Sequence, residues 1–291
     1  MLTEHAPAKI NLALHLRRRR PDGYHDLESI FAFTDFGDTL HAAPAETLTL
    51  TLSGPTAAAA GPDADNLVLR AGRALAAAAG MVPGAAITLE KRIPVAAGLG
   101  GGSADAAAAL RLLNRLWGLN WPLDRLAALA EPLGADVPVC VYSQTRFGAG
   151  KGEALSAWPH DPAGTLVLLV NPRVAVATGP VFAGWDQRDL GPIDPALPLD
   201  RLRNDMTAAA IALQPVIADV LAALERAGGA SLVRMSGSGA TCWRFIPIWR
   251  RAIGRWRRSP KYRAAAAGGS APHTSSDSAA AVPSRAQLNG V

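Results

Sequence analysis

Pro94-Val95-Ala96-Ala97-Gly98-Leu99-Gly100-Gly101-Gly102-Ser103-Ala104-Asp105 places four glycines and a serine directly ahead of an Ala- and Leu-rich run, residues 106–116, whose composition predicts a helix. Backbone N–H groups at a helix start lack intrahelical acceptors and carry the positive end of the macrodipole. Glycines at that point let a bulky anion approach them closely, so the segment predicts a binding loop for a phosphate chain. No Gly-Lys-Ser/Thr follows, which excludes a Walker loop, and the Rossmann spacing with a ribose-binding acid is also missing. Taken alone, the same residues also fit a flexible turn in an alanine-rich chain.

Outward from this loop the chain mixes strands and helices. Residues 7–14 alternate polar and apolar side chains, which puts Lys9 and Asn11 on one face of a strand. Residues 47–52 and 87–93 predict further strands, and residues 65–79 a helix opened by the capping residues Asp65 and Asn66. A short helix is expected over 122–130, strands over 137–142, 165–170 and 231–235, and helices over 204–213 and 216–227. Residues 57–60 read as a loop.

The 291 residues, 49% hydrophobic and 18% charged, fit a globular enzyme with one large or two modest domains. No apolar run approaches the roughly 18 residues of a membrane span and no signal-peptide pattern opens the chain, so a cytoplasmic protein is expected. Cys140 and Cys242 read as buried reduced thiols. The net charge of +5 is uneven: nine basic residues and one acid lie from Arg244 onward, so the last 48 residues carry +8 and the rest −3. The high pI is therefore a property of the tail. The run Arg17-Arg18-Arg19-Arg20 reads as a solvated loop between a strand and a turn, able to attract an anionic substrate.

Four further blocks accompany the glycine loop: Ala8-Lys9-Ile10-Asn11; Pro21-Asp22-Gly23-Tyr24-His25; Gly134-Ala135-Asp136-Val137-Pro138; and Ser236-Gly237-Ser238-Gly239-Ala240. In order and spacing the five resemble the GHMP kinases, from about residue 5 to Trp243. The resemblance implies an α+β fold of two domains. Residues 1–155 would form an ATP-binding and catalytic domain with a mixed sheet and helices, and residues 156–243 a ferredoxin-like C-terminal domain, incomplete here. It also implies ATP-dependent phosphorylation of a small alcohol, with ATP and Mg²⁺ as cofactors, metal ligands unassigned, no nucleic-acid or membrane partner for the body, and oligomeric state open.

Residue by residue, the resemblance gives the glycine loop, 94–104, to the ATP phosphates. Lys9 and Asp136 become the catalytic pair, pointing at the accepting hydroxyl. Asn11, Tyr24, His25, Thr178, Gly237, Ser238 and Gly239 become substrate contacts. A ring can stack on a pyrimidine and a histidine can bond its edge, and the Pro-Asp-Gly-Tyr-His segment resembles the branch of the family that phosphorylates a cytidyl diphosphate sugar alcohol. Another small-alcohol kinase of the family is the alternative.

After Trp243 the resemblance stops. Residues 244–291 are basic, carry Trp249 and Trp256, and decay into Ala, Gly, Ser and Pro, a composition that reads as disordered. Two origins stay open: a reading-frame slip, since the implied GC-rich codons re-read one base out of frame give a strand remnant, a turn and a helix start; or a natural nucleic-acid-binding extension on an impaired kinase body. Because Pro247 and the arginines fit no buried strand, an unpaired sheet edge and low stability are expected.

Overall fold

The structure is a computed structural model and describes residues 1–60, 65–228, 232–246 and 264–267. Strand β1 (Leu2–Arg19) and strand β2 (His25–Ala43) form a long antiparallel pair across the Pro21-Asp22-Gly23 turn. Strand β3 (Leu48–Ser53), one helical turn α1 (Ala57–Ala60) and helix α2 (Leu67–Ala78) follow. Strand β4 (Ala85–Glu90) then leads through the glycine loop into helix α3 (Gly101–Leu116). Helices α4 (Leu123–Ala130) and α5 (Val137–Tyr142) and strands β5 (Arg146–Ala149) and β6 (Ala154–Ala157) complete the first lobe.

These strands make one mixed sheet in the order β3-β4-β2-β5-β6, with β1 paired to β2. The alanines of α3 bring its backbone close to the sheet, and Ala104 and Ala106 to Ala109 are buried there with Leu110, Leu112 and Leu113. The asparagine at 66 caps α2 by accepting the Val68 amide at 2.9 Å, as its residue type predicts.

The second lobe comprises strand β7 (Leu166–Val170), helices α6 (Thr178–Ala183), α7 (Thr207–Leu213) and α8 (Val216–Arg226), and strands β8 (Val233–Met235), β9 (Cys242–Ile246) and β10 (Ala264–Ala267). Its sheet runs β10-β7-β9-β8, which is the 4-1-3-2 order of a ferredoxin-like sheet when the four strands are numbered along the chain. Between the two sheets lies an apolar layer in which Ile10, Leu12, Ile30, Val167, Leu169 and Trp243 are buried together. The long β1 thus belongs to both lobes, and Leu14 also bridges to Asn204.

Four sequence expectations are corrected. Residues 137–142 are helix α5, not a strand: six apolar residues in a row carry no period, and Pro138 sits in the first helical turn, where its missing N–H costs nothing. Residues 57–60 form a helical turn rather than a loop. The arginine run is the end of β1, where Arg17 pairs with Glu28 and Asp189, and Arg18 and Arg20 both pair with Asp26. The second sheet does not lack its last strand, because β10 pairs antiparallel with β7. Pro247 and the arginines after it lie outside the described residues, and residues 264–267 supply the backbone groups that the ladder requires. Strand β9 runs through the boundary expected at residue 243 to Ile246. The rest of the tail lies outside the described residues.

Candidate active site

A cavity of about 1040 Å³ opens between the lobes. It is lined by the glycine loop, by Lys9 and Asn11 of β1, by Asp136, and from the other side by Thr178, Gly237 and Ser238. Tyr24 and His25 line it as well. Among the residues expected at the site, Leu99 and Ala104 are buried away from the cavity, and Gly239 does not line it either. The carbonyl of Leu99 accepts the Lys9 amide at 2.9 Å, so this residue ties the loop to β1.

Lys9 Nζ lies 2.8 Å from Asp136 Oδ2. The ammonium also donates to Asn11 Oδ1 at 3.0 Å, while Asn11 Nδ2 donates to Ser29 Oγ at 2.8 Å. Asn11 thus helps aim Lys9, and it lines the cavity, where its second N–H and second oxygen lone pair can meet a guest. Asp136 precedes α5 without capping it and is one-third exposed toward the cavity, whereas Lys9 is buried. A carboxylate and an ammonium in this arrangement can take a proton from a bound hydroxyl and hold the developing alkoxide. Beneath them, burial and then the Asp136 charge push the Cys140 thiol up to about 12, so it is no nucleophile.

Gly100 caps α3 at φ 63°, a left-handed conformation, and no acidic side chain occupies the first turn of the helix. Its N–H groups are left to a guest. A Cβ on Gly100 would stand 3.1 Å from Lys9 Cε, and one on Gly102 would meet only Leu67 Cδ1 at 3.5 Å. Gly100→Ala therefore strains the loop and shifts the lysine, and turnover is expected to fall about 100-fold. Gly102→Ala is expected to stay within about twofold of the parent in steady-state kinetics. Equal effects of the two substitutions would refute this reading of the loop.

The two glycine turns lock together. Ser236 Oγ donates to Gly98 O at 2.8 Å and the Thr241 amide to Ala97 O at 3.1 Å. Thr178 Oγ1 and Ser238 Oγ are 3.1 Å apart, which links α6 to the second turn. His25 stacks on Phe182 with ring centroids 4.8 Å apart and meets the edge of Trp185 at 5.8 Å. Burial, aided by the Arg19 charge, pushes His25 below its ordinary value and so favours the neutral ring. Tyr24 is exposed, with Lys151 Nζ 4.8 Å from its ring centre. Sequence reasoning missed Phe182 and Trp185, although two aromatics three apart amid Ala and Gly were the available signal.

Also missed was a buried ionic cluster, in which Lys91 Nζ bonds Asp38 Oδ2 and lies 2.6 Å from Asp105 Oδ2. Burial would lower Lys91, but its two carboxylate partners outweigh this and raise it. Burial, with the Asp38 charge, pushes Asp105 up to about 8 against the pull of Lys91. The folded chain thus holds a proton that the unfolded chain releases near the ordinary Asp value of about 3.9. Between those values the unfolded state binds fewer protons, so this group makes stability fall as pH rises toward about 8. Asp105→Asn removes that contribution, and its melting temperature is expected to drop less than the parent's between about pH 6 and about pH 8. Identical drops would contradict the assignment.

Comparison with known proteins gives the family. The model of the GHMP kinases N terminal domain matches residues 66–144, and that of the GHMP kinases C terminal domain matches residues 186–247. A 4-diphosphocytidyl-2-C-methyl-D-erythritol kinase of Rhizorhabdus wittichii is 55% identical over 247 residues, covering 83% of this chain and 84% of the relative. The chain belongs to the GHMP kinases. As a GHMP kinase it is an ATP-dependent small-molecule kinase. The kinase of the same name from Paramagnetospirillum magneticum is 49% identical over 252 residues, 82% of this chain and 86% of its own length. A crystal structure of 4-(cytidine 5'-diphospho)-2C-methyl-D-erythritol kinase superposes with a TM-score of 0.73 at 33% identity, covering 92% of this GHMP kinase and all of that chain. A mevalonate kinase superposes at 0.65 with 12% identity over 92% of this chain and 99% of its own, a likeness of fold alone. No helix among the described residues is long and apolar enough to cross a membrane.

Proposed function

We propose that this kinase transfers the γ-phosphoryl group of ATP to the 2-hydroxyl of 4-diphosphocytidyl-2-C-methyl-D-erythritol, a step toward isoprenoid precursors by the non-mevalonate route, in the cytoplasm. The observation that carries the substrate is the His25 ring set against Phe182 and Trp185 in the same cavity as the Lys9–Asp136 pair. A pyrimidine fits against an aromatic wall, and an imidazole can bond its edge. The names of the relatives at about half identity agree with this reading.

In the reaction the loop amides around Gly98 and Gly101 to Ser103 cradle the phosphate chain. The turn at Gly237 and Ser238, with Thr178, faces the substrate's diphosphate. Asp136 accepts the hydroxyl proton as the oxygen bonds to Pγ, the bond from Pγ to the β-phosphate oxygen breaks, and ADP leaves. Lys9 balances the charge that develops on the attacking oxygen. Among the described residues no cluster of three or more His, Cys, Asp or Glu could hold a metal ion, so Mg²⁺ is read as arriving on the ATP phosphates rather than in a protein cage. Residues 1–155 act as the ATP-binding and catalytic domain, and residues 156–243 bring the second wall of the pocket.

ATP consumption measured with the cytidyl diphosphate substrate beside mevalonate, homoserine and galactose tests the proposal. Turnover confined to the cytidyl compound supports it. Turnover with another alcohol in its place overturns it.

A further inference from the structure

Lys91 is the first residue after β4, three positions before the glycine loop begins at Pro94, and Asp105 stands in the opening turns of α3, just after the loop ends. Their side chains meet at 2.6 Å, although the loop separates them by 14 positions. Asp38 of β2 joins them from the sheet. One of its oxygens bonds Lys91 Nζ, and the other accepts the backbone amides of Arg92 and, at 2.8 Å, of Ile93. All three side chains are buried. The Lys91 backbone is fixed as well, since its amide donates to Ser53 O at 2.7 Å.

We infer that Asp38, Lys91 and Asp105 form a polar clip across the base of the glycine loop, acting as positioning residues that set the loop's width for the ATP phosphates. This rests on the reading of residues 94–104 as the ATP loop. Ala97 and Leu99 anchor the middle of the loop in the apolar layer between the sheets. The clip adds directional bonds between its two ends. Its ammonium also lies 3.5 Å from where a Cβ of Gly101 would be, against the first residue of the helix whose amides meet the phosphates. A shift of the clip therefore moves those amides directly. Asp105 Oδ1 faces no hydrogen-bond partner. An asparagine there keeps the acceptor for Lys91 and leaves the pair between Lys91 and Asp38 intact.

The test separates positioning from mere stability. Asp105→Leu removes the bond to Lys91 with a side chain of similar branching, and Asp105→Ala removes it without adding bulk, which serves if the leucine form does not fold. Either is expected to raise KM for ATP at least tenfold, with KM for the alcohol substrate and kcat at saturating ATP within about twofold of the parent. Asp105→Asn is expected to restore KM for ATP to within about twofold. Variants that lose melting temperature but keep the parental KM for ATP, or that raise both KM values alike, overturn the clip while leaving the kinase reading intact. A parent chain that consumes no ATP with any alcohol overturns both.

Discussion

Asp136→Asn is expected to lower kcat by about 10²–10⁴-fold while KM for ATP and the melting temperature stay close to the parent values. The size follows from the chemistry of proton removal. With the carboxylate gone, Asn11 is the side chain still hydrogen-bonded to Lys9 among the described residues, and an amide does not act as a base. The unchanged stability follows from the surroundings. Asp136 makes no capping bond to α5 and is partly open to solvent, so an asparagine leaves no backbone amide unpaired. Lys9→Met attacks the same pair from its buried side, and the double variant is expected to be little slower than the slower single variant, because the two groups act as a unit. Steady-state kinetics beside thermal melts checks each part. A full additive loss in the double variant would show that the two act separately.

Gly98→Ala is expected to cost about 2–5 kcal/mol of stability and most of the activity. At φ 74° the glycine is in the left-handed region, and a Cβ there would collide with the carbonyl oxygen of Ser236 and come 2.7 Å from that of Gly239. Both are backbone atoms, so neither can swing aside as a side chain would. The only relief is to part the two glycine turns, which breaks the Ser236 bond to Gly98 O and opens the site between the lobes. Gly80→Ala provides the control: its φ is 66°, but nothing lies within 4 Å of the added carbon, so only the conformational cost of about 1–2 kcal/mol is expected. Denaturant melts of the two variants measure the difference, and equal losses would remove the steric argument.

How far the residues disclosed this molecule depended on whether a feature was local. Strict alternation over residues 7–14 placed Lys9 and Asn11 on one face, and they bond one another in β1. The glycine loop announced the start of α3 because capping and helix composition are short-range signals. By contrast, the bond between Lys91 and Asp105 spans a loop, and Asp38 is 53 positions from Lys91, so no spacing rule joins the three. Sequence likewise cannot show that Ser29 lies opposite Asn11. Helix α5 reads as a strand because six consecutive apolar residues bury equally well in either form. Composition alone also gave no sign of the short alanine segment that pairs with β7.

The shared strand β1 has a consequence for how the chain is made. The indole of Trp243 donates to the Asn11 carbonyl across 232 positions and is fully buried beside Leu12 and Ile10. A ribosome adding about 5–20 residues per second delivers that tryptophan roughly 10–50 s after the strand that awaits it. Through that interval the cover of an emerged β1 stays incomplete, because Val167 and Leu169 of β7 arrive first and Trp243 last. Nascent chains stalled before residue 243 therefore present a sticky strand to the cell, and folding of the catalytic half is completed by nearly the last part of the body to be translated.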